Sequence, residues 1–270
     1  MVAAGDEVTA APLPVRRAGA GEPLVLVHGF LGGSAQWAGE IAAFSRQFDV
    51  IAPDLAGYGA ASDRAAPHDM ATHARAVLAT LDALGIGAFH LLGHSMGGMV
   101  AQEVVHLAPA RVRRLVLYAT AAQGSIPGRF ETMARARERV AEEGMSRVAR
   151  RISATWLLDR ERSPAYAALA ALALQSSAQA AMAGLDAMEA WDGRDRLGGI
   201  GVPTLVVWGE HDRSYAWPLI EALWRGIPGA SLAVLPACAH ALHGERPALF
   251  HALVLDFLRA PPPGGQEGQP

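Results

Sequence analysis

The chain has 270 residues, 51% of them hydrophobic, with a formal net charge of −3. That size supports one large core, or a core plus a small accessory piece, and the near-neutral balance excludes a basic nucleic-acid-binding surface. All 23 cationic side chains are arginine and Cys238 is the only cysteine, which excludes Schiff-base lysine chemistry, a P-loop and an intrachain disulfide.

In chain order, short apolar runs closed by turn residues read as strands: "PLVLVHG" (23–29), "DVIAPDL" (49–55), "FHLLGHS" (89–95), "RLVLYAT" (114–120), "PTLVVWG" (203–209) and "SLAVLP" (231–236). Nearly continuous apolar runs of this kind mark strands buried on both faces of a parallel sheet. Helix-period stretches lie between them. "MATHARAVLATLDALG" sets Met70, His73, Val77, Leu81 and Leu84 on one stripe, and Gly85 stops it. Further helices are expected from Ser95 to about Leu107 and from about Pro247 to Leu258. The alternation predicts an α/β fold with a doubly wound sheet.

One segment breaks the alternation. Residues 123–191 contain helix formers and no strand pattern, which reads as a helical cap over a core built from 1–122 and 192–260. The tail 261–270, rich in proline and glycine, is expected to be disordered. No sustained apolar run of the signal-peptide type occurs near the N-terminus, and no window reaches 18 uninterrupted apolar residues. A soluble cytoplasmic protein with no membrane or nucleic-acid partner is the expectation.

The chemistry gathers in four separated segments. Gly93-His94-Ser95-Met96-Gly97 fits G-x-S-x-G between a predicted strand and a predicted helix, the context of a nucleophile elbow. A serine hydroxyl needs a base to become nucleophilic, and the base needs an orienting acid. "LVVWGEHDR" supplies Asp212 just past a strand, with Glu210 as the rival that comes too early. "LAVLPACAHALHGERP" supplies His240 after the last strand, with His243 three residues on starting the final helix. The backbone N–H groups of Phe30, in "VLVHGFLGG", and of Met96 are the expected oxyanion donors. Cys238 reads as a buried structural thiol.

These blocks resemble the α/β-hydrolases from about Pro23 to Leu258: "HGFLGG", "DLAGYG", "GHSMGG", "VPTLVVWGEHD" and "AHALHGERP". The resemblance implies a doubly wound, mostly parallel sheet with a helical lid inserted after the sixth strand. It also implies a Ser95–Asp212–His240 triad working without cofactor or metal. Within the superfamily, "LVLYATAAQGS", "DGRDRLGGIGVPTL" and the "AH" at the histidine are similar to 3-oxoadipate enol-lactonases. This points to a hydrolase of carboxylic esters or lactones acting on a largely apolar small molecule, with a homodimer as a possible assembly.

Carbon–carbon hydrolases of ring-fission dienoates are similar around "WGEHDR" and "WDGRDRL". They carry asparagine before the nucleophile and tryptophan after the base, where this chain has His94 and Ala241. That alternative predicts a lid arginine in the pocket, with Arg160, Arg162 and Arg194 as candidates. A catalytically silent binding protein of the same fold is the third reading. Pocket candidates are His94, Trp156, Met182, Met188 and Trp191.

Overall fold

The computed structural model describes residues 11–126 and 131–261; the expectations for the extreme N-terminus and for the tail beyond Pro261 lie outside the described residues. Seven strands form one sheet: β1 (Val15–Ala18), β2 (Glu22–Val27), β3 (Phe48–Pro53), β4 (Phe89–His94), β5 (Val112–Tyr118), β6 (Thr204–Gly209) and β7 (Ser231–Leu235). Their order is β1-β3-β2-β4-β5-β6-β7. Only the β1–β3 pair is antiparallel. The six predicted strands are β2 to β7, each within a few residues of its predicted bounds.

Because side chains alternate across a strand, the apolar runs feed two separate cores. Leu24 and Leu26 of β2 face a layer with Phe44, Phe250 and Val254. These belong to α1 (Ala38–Phe44) and α10 (Pro247–Arg259); a short α9 (Leu242–Glu245) directly precedes α10. Val25 and Val27 face the opposite layer with Val77, Leu81, Val100 and Val104. That layer contains α2 (Met70–Ala83) and α3 (Met96–Leu107), together with α8 (Trp217–Gly226). Burial on both faces selects the β-branched and leucine side chains at the centres of β2 to β6, whereas β7, at the sheet edge, is buried only at Leu235.

Between β5 and β6 come four helices and no named strand among the described residues: α4 (Met133–Glu143), α5 (Met145–Thr155), α6 (Tyr166–Ala173) and α7 (Ala178–Ala190). An isolated antiparallel bridge pairs Gln123 with Asp192. Flanking it, Gly124 N–H donates to Trp191 O and Gly193 N–H to Ala122 O. The insertion is therefore closed at its neck by backbone hydrogen bonds. It follows the fifth strand of the described chain and not a sixth, because a single antiparallel strand precedes the β2 run. Among the described residues, no single helix is long and apolar enough to cross a membrane.

Helix α2 shows how the sequence writes its own boundaries. Asp69 Oδ1 accepts from the Thr72 N–H at 2.7 Å, a side-chain cap on the first turn. Gly85, just past the C-terminus, takes φ +71°. Met70, His73, Val77 and Leu81 of the predicted stripe are buried and Leu84 is half-buried; the two ring nitrogens of His73 have no partner among the described residues. Desolvation pulls the His73 pKa down to about 4, with repulsion from His28 adding to it.

A histidine that stays neutral when folded but protonates when unfolded leaves the unfolded state holding more protons. Its stabilisation is complete above the unfolded pKa, near 6.5, and is lost as pH falls towards 4. His73→Leu should therefore flatten the dependence of unfolding free energy on pH between about 6.5 and 4, as read by urea denaturation at several pH values. Unchanged acid sensitivity would contradict the assignment.

Candidate active site

Ser95 stands alone between the last residue of β4 and the first of α3, at φ 56° and ψ −121°. A positive φ on a residue with a Cβ is strained by roughly 1–3 kcal/mol and persists only when its surroundings fix it. Three hydrogen bonds do so: Ser95 N–H to Tyr118 O at 2.9 Å, Gly98 N–H to Ser95 O at 2.9 Å and Thr120 Oγ1 to Ser95 O at 2.7 Å. The flanking glycines are steric requirements of this turn. A Cβ at Gly93 would collide with the Gly97 carbonyl, and one at Gly97 with the carbonyls of Val27 and His28. The turn leaves Ser95 facing a cavity with the α3 N-terminus beside it.

His240 lines the same cavity, after β7. Its Nδ1 lies 2.9 Å from Asp212 Oδ2, with both side chains almost completely buried. A carboxylate only accepts, so Nδ1 carries the proton and Nε2 keeps its lone pair for the cavity. The other Asp212 oxygen accepts from Ser214 N–H at 2.7 Å and Tyr215 N–H at 3.3 Å, which fixes the carboxylate in one orientation. Glu210 is turned to a neighbouring loop, where it accepts from Ala237 N–H at 2.8 Å and pairs with His211. The three side chains predicted as nucleophile, acid and base thus converge from three strand ends.

The peptide of His240 is gripped on both sides. Its N–H donates to Trp156 O at 3.0 Å. Its carbonyl accepts from Tyr118 Oη at 3.1 Å and from His94 Nε2 at 3.3 Å. Because that carbonyl only accepts, His94 carries its proton on Nε2, and its Nδ1 accepts from Gln36 Nε2 at 3.3 Å. Burial holds the His94 pKa well below the usual imidazole value, reinforced by His240 and His243. His243 sits in α9, just before the final helix, with its Nδ1 2.9 Å from Tyr118 Oη. Its ring also lines the cavity.

Phe30 follows Gly29 at the end of the β2 block and lines the cavity, while Met96 opens α3. Among the described residues, neither backbone N–H has a hydrogen-bond partner. His28 shapes the loop from beneath: its Nε2 accepts from Leu55 N–H at 2.9 Å, so its Nδ1–H is the donor to Gly29 O. Cys238 is buried, donates to Leu235 O at 3.3 Å and has its thiol pushed up to about 12 by burial. It is inert packing, as the sequence suggests.

Of the pocket candidates, His94, Trp156 and Met188 line the cavity, and Met182 and Trp191 do not. Met182 and Met188 lie about 120° apart around α7, so only one can face the site. Trp191, past the helix end, turns towards α3 and donates Nε1–H to Glu103 at 2.7 Å. Arg160 is in a turn outside the cavity, Arg162 is largely exposed, and Arg194 pairs with Asp192 at the surface. No arginine lines the cavity among the described residues.

Three contributors lie within the quoted blocks without any residue-level sign of their role. Tyr118 ends β5, in a run that reads only as a buried strand. Glu245 bridges Leu158 N–H and Ala239 N–H, both at 2.7 Å, and Arg213 donates to Leu157 O at 3.0 Å. No group of His, Cys, Asp and Glu among the described residues is arranged to hold a metal ion.

The chain matches the α/β hydrolase fold family over residues 22–247. It is 30% identical over 252 residues to the putative carbamate hydrolase RutD of Azorhizobium caulinodans, covering 88% of this chain and 92% of that one. It is 29% identical over 265 residues to the 2-hydroxy-6-oxo-6-phenylhexa-2,4-dienoate hydrolase of Burkholderia cepacia, covering 89% of each. Its structure is similar to that of the enol-lactonase from Burkholderia xenovorans LB400, with TM-score 0.84 and 27% identity over 92% of this chain and 96% of that one. The match runs from β2 to the first residue of α10 and includes the turn at Ser95: this chain belongs to the α/β-hydrolase superfamily and is a hydrolase of that kind.

Proposed function

We propose that the protein hydrolyses a carboxylic ester or lactone through an acyl-enzyme on Ser95. The observation that carries this reading is the buried 2.9 Å His240–Asp212 hydrogen bond in the cavity that Ser95 faces. His240 Nε2 takes the Ser95 proton as Oγ attacks the acyl carbon, and Asp212 stabilises the imidazolium without becoming protonated. The N–H groups of Phe30 and Met96 receive the oxyanion, each worth roughly 3 kcal/mol in the transition state. His240 passes its proton to the leaving oxygen, and water activated by the same imidazole then releases the acid. The likeness to an enol-lactonase supports this substrate class.

Carbon–carbon hydrolysis by the same three residues is the second reading, favoured by the resemblance to the dienoate hydrolase. It ranks lower because Arg160, Arg162 and Arg194 all lie outside the cavity lining. A binding protein with a silent site ranks third, because the His240–Asp212 hydrogen bond is intact beside the cavity that Ser95 faces.

Wild-type protein should turn over p-nitrophenyl acetate and be labelled by a fluorophosphonate probe. Ser95→Ala should lose both, and equal turnover by the two proteins would remove Ser95 from the mechanism. Asp212→Asn replaces the acceptor of the His240 proton and should lower kcat by about 10³–10⁴, measured on the same ester. Tyr118→Phe removes one donor to the His240 carbonyl, a loss of ~1 kcal/mol. It should lower kcat roughly fivefold with KM nearly unchanged; a rise in KM alone would place Tyr118 in substrate binding instead.

A further inference from the structure

The cavity at Ser95 is small. Its volume is about 40 Å³, room for a few waters. A groove of about 370 Å³ adjoins it. The two share three lining side chains, Gln36, Leu169 and His243. A single layer of side chains therefore separates the reactive serine from a space of the size that organic ligands fill.

The groove runs between α6 and the segment that follows the Phe30 loop. One wall is Ala35, Ala38 and Gly39; the other is Ala165, Ala168 and Ala171. The two alanines of α6 at its heart, Ala168 and Ala171, are exposed, as are Ala35, Ala38 and Gly39. Helix α6 reads "YAALAALA", with no charge on any face, whereas a helix edging solvent normally carries a polar face. Ala165 to Ala171 spans about 9 Å along the axis.

The groove's polar groups are few and committed. Glu40 is buried and takes His251 Nε2 at 2.8 Å, and His243 Nδ1 is held by Tyr118 Oη. Gln36 and Gln175 contribute neutral amides. Walls of methyl groups close together, without a free charge, fit a slender neutral chain and offer nothing to an anion, a cation or a branched ring system.

We infer that this groove receives an unbranched aliphatic chain of the substrate, making esters or lactones with a medium-length alkyl arm the substrate class. The inference rests on the reading of Ser95 as the acyl-forming nucleophile. Gln36 and Leu169 are then the side chains that part to let the arm leave the Ser95 cavity. The chain belongs either to the acyl group or to the alcohol, and two substrate series separate these sources.

The test measures kcat/KM for p-nitrophenyl acetate, butanoate, hexanoate and octanoate, and for methyl to octyl acetates followed by acid release. Each fully buried methylene is worth about fourfold. In one series, the longest member should exceed the shortest by about tenfold or more. Ala168→Phe fills the groove and should abolish that ratio, while Ala167→Phe, exposed on the same helix but outside the groove, should preserve it. Ala38→Phe repeats the test from the opposite wall. Turnover of short esters with no chain-length response in either series overturns the inference alone. An equal loss on short and long esters in Ala168→Phe also overturns it, because it reports a displaced α6. Failure to turn over any ester overturns the reading of Ser95 and this inference with it.

Discussion

Tyr118 is the point from which the site is measured. Its carbonyl takes the Ser95 N–H, its hydroxyl donates to the His240 carbonyl, and its ring stacks on His94 with centroids 4.4 Å apart. One buried residue at the end of β5 thereby fixes two loops that arrive from β4 and β7. The strain at Ser95 is stable because β4 and β5 are adjacent, parallel and, from Leu91 onward, in register, Leu92 beside Val116 and His94 beside Tyr118. Burial also raises the Tyr118 pKa well above the usual phenol value, so the hydroxyl stays a donor. A misplaced β5 would release the serine turn and the base together.

The loop that carries His240 is equally tied to the helical insertion. Trp156 O accepts from both His240 N–H and Ala241 N–H, at 3.0 and 2.9 Å. Glu245 spans from Leu158 to Ala239, and Arg213, next to the acid, holds the carbonyls of Leu157 and Leu158. This corner of the insertion is therefore stapled to the loops that carry Asp212 and His240. The opposite side, where α6 meets the 35–40 segment, is lined by alanine and glycine. Fixed loops at the stapled corner are what proton transfer at set distances requires.

Much of this is legible in the sequence. The six apolar runs are strands because a parallel sheet buried on both faces demands continuous apolar residues, and α2 is bounded by its own Asp69 cap and Gly85 stop. The proposed triad could be named because each member sits just past a strand, in an order the superfamily shares. Illegible were the groups whose role depends on where distant segments meet. Tyr118 looks like any strand residue, and Glu245 like any helix-start acid. Met182 and Trp191 look as suitable for a pocket as Met188 and Trp156, because apolar side chains at helical spacing carry no label for which face turns inward.

Taken by itself, the sequence determined the local features: strand and helix identity, the glycines that permit the Ser95 turn, and the residue types able to perform acyl transfer. Those are set within a few residues by backbone sterics, side-chain periodicity and chemical type. Tertiary structure alone decided which ring nitrogen of His240 holds its proton and which face of α7 roofs the cavity. It also decided that a methyl-lined groove lies one side chain away from Ser95. Such facts arise from contacts across 28 to 146 positions of chain, where hydrogen-bond direction and packing of whole elements, not local propensity, select the geometry.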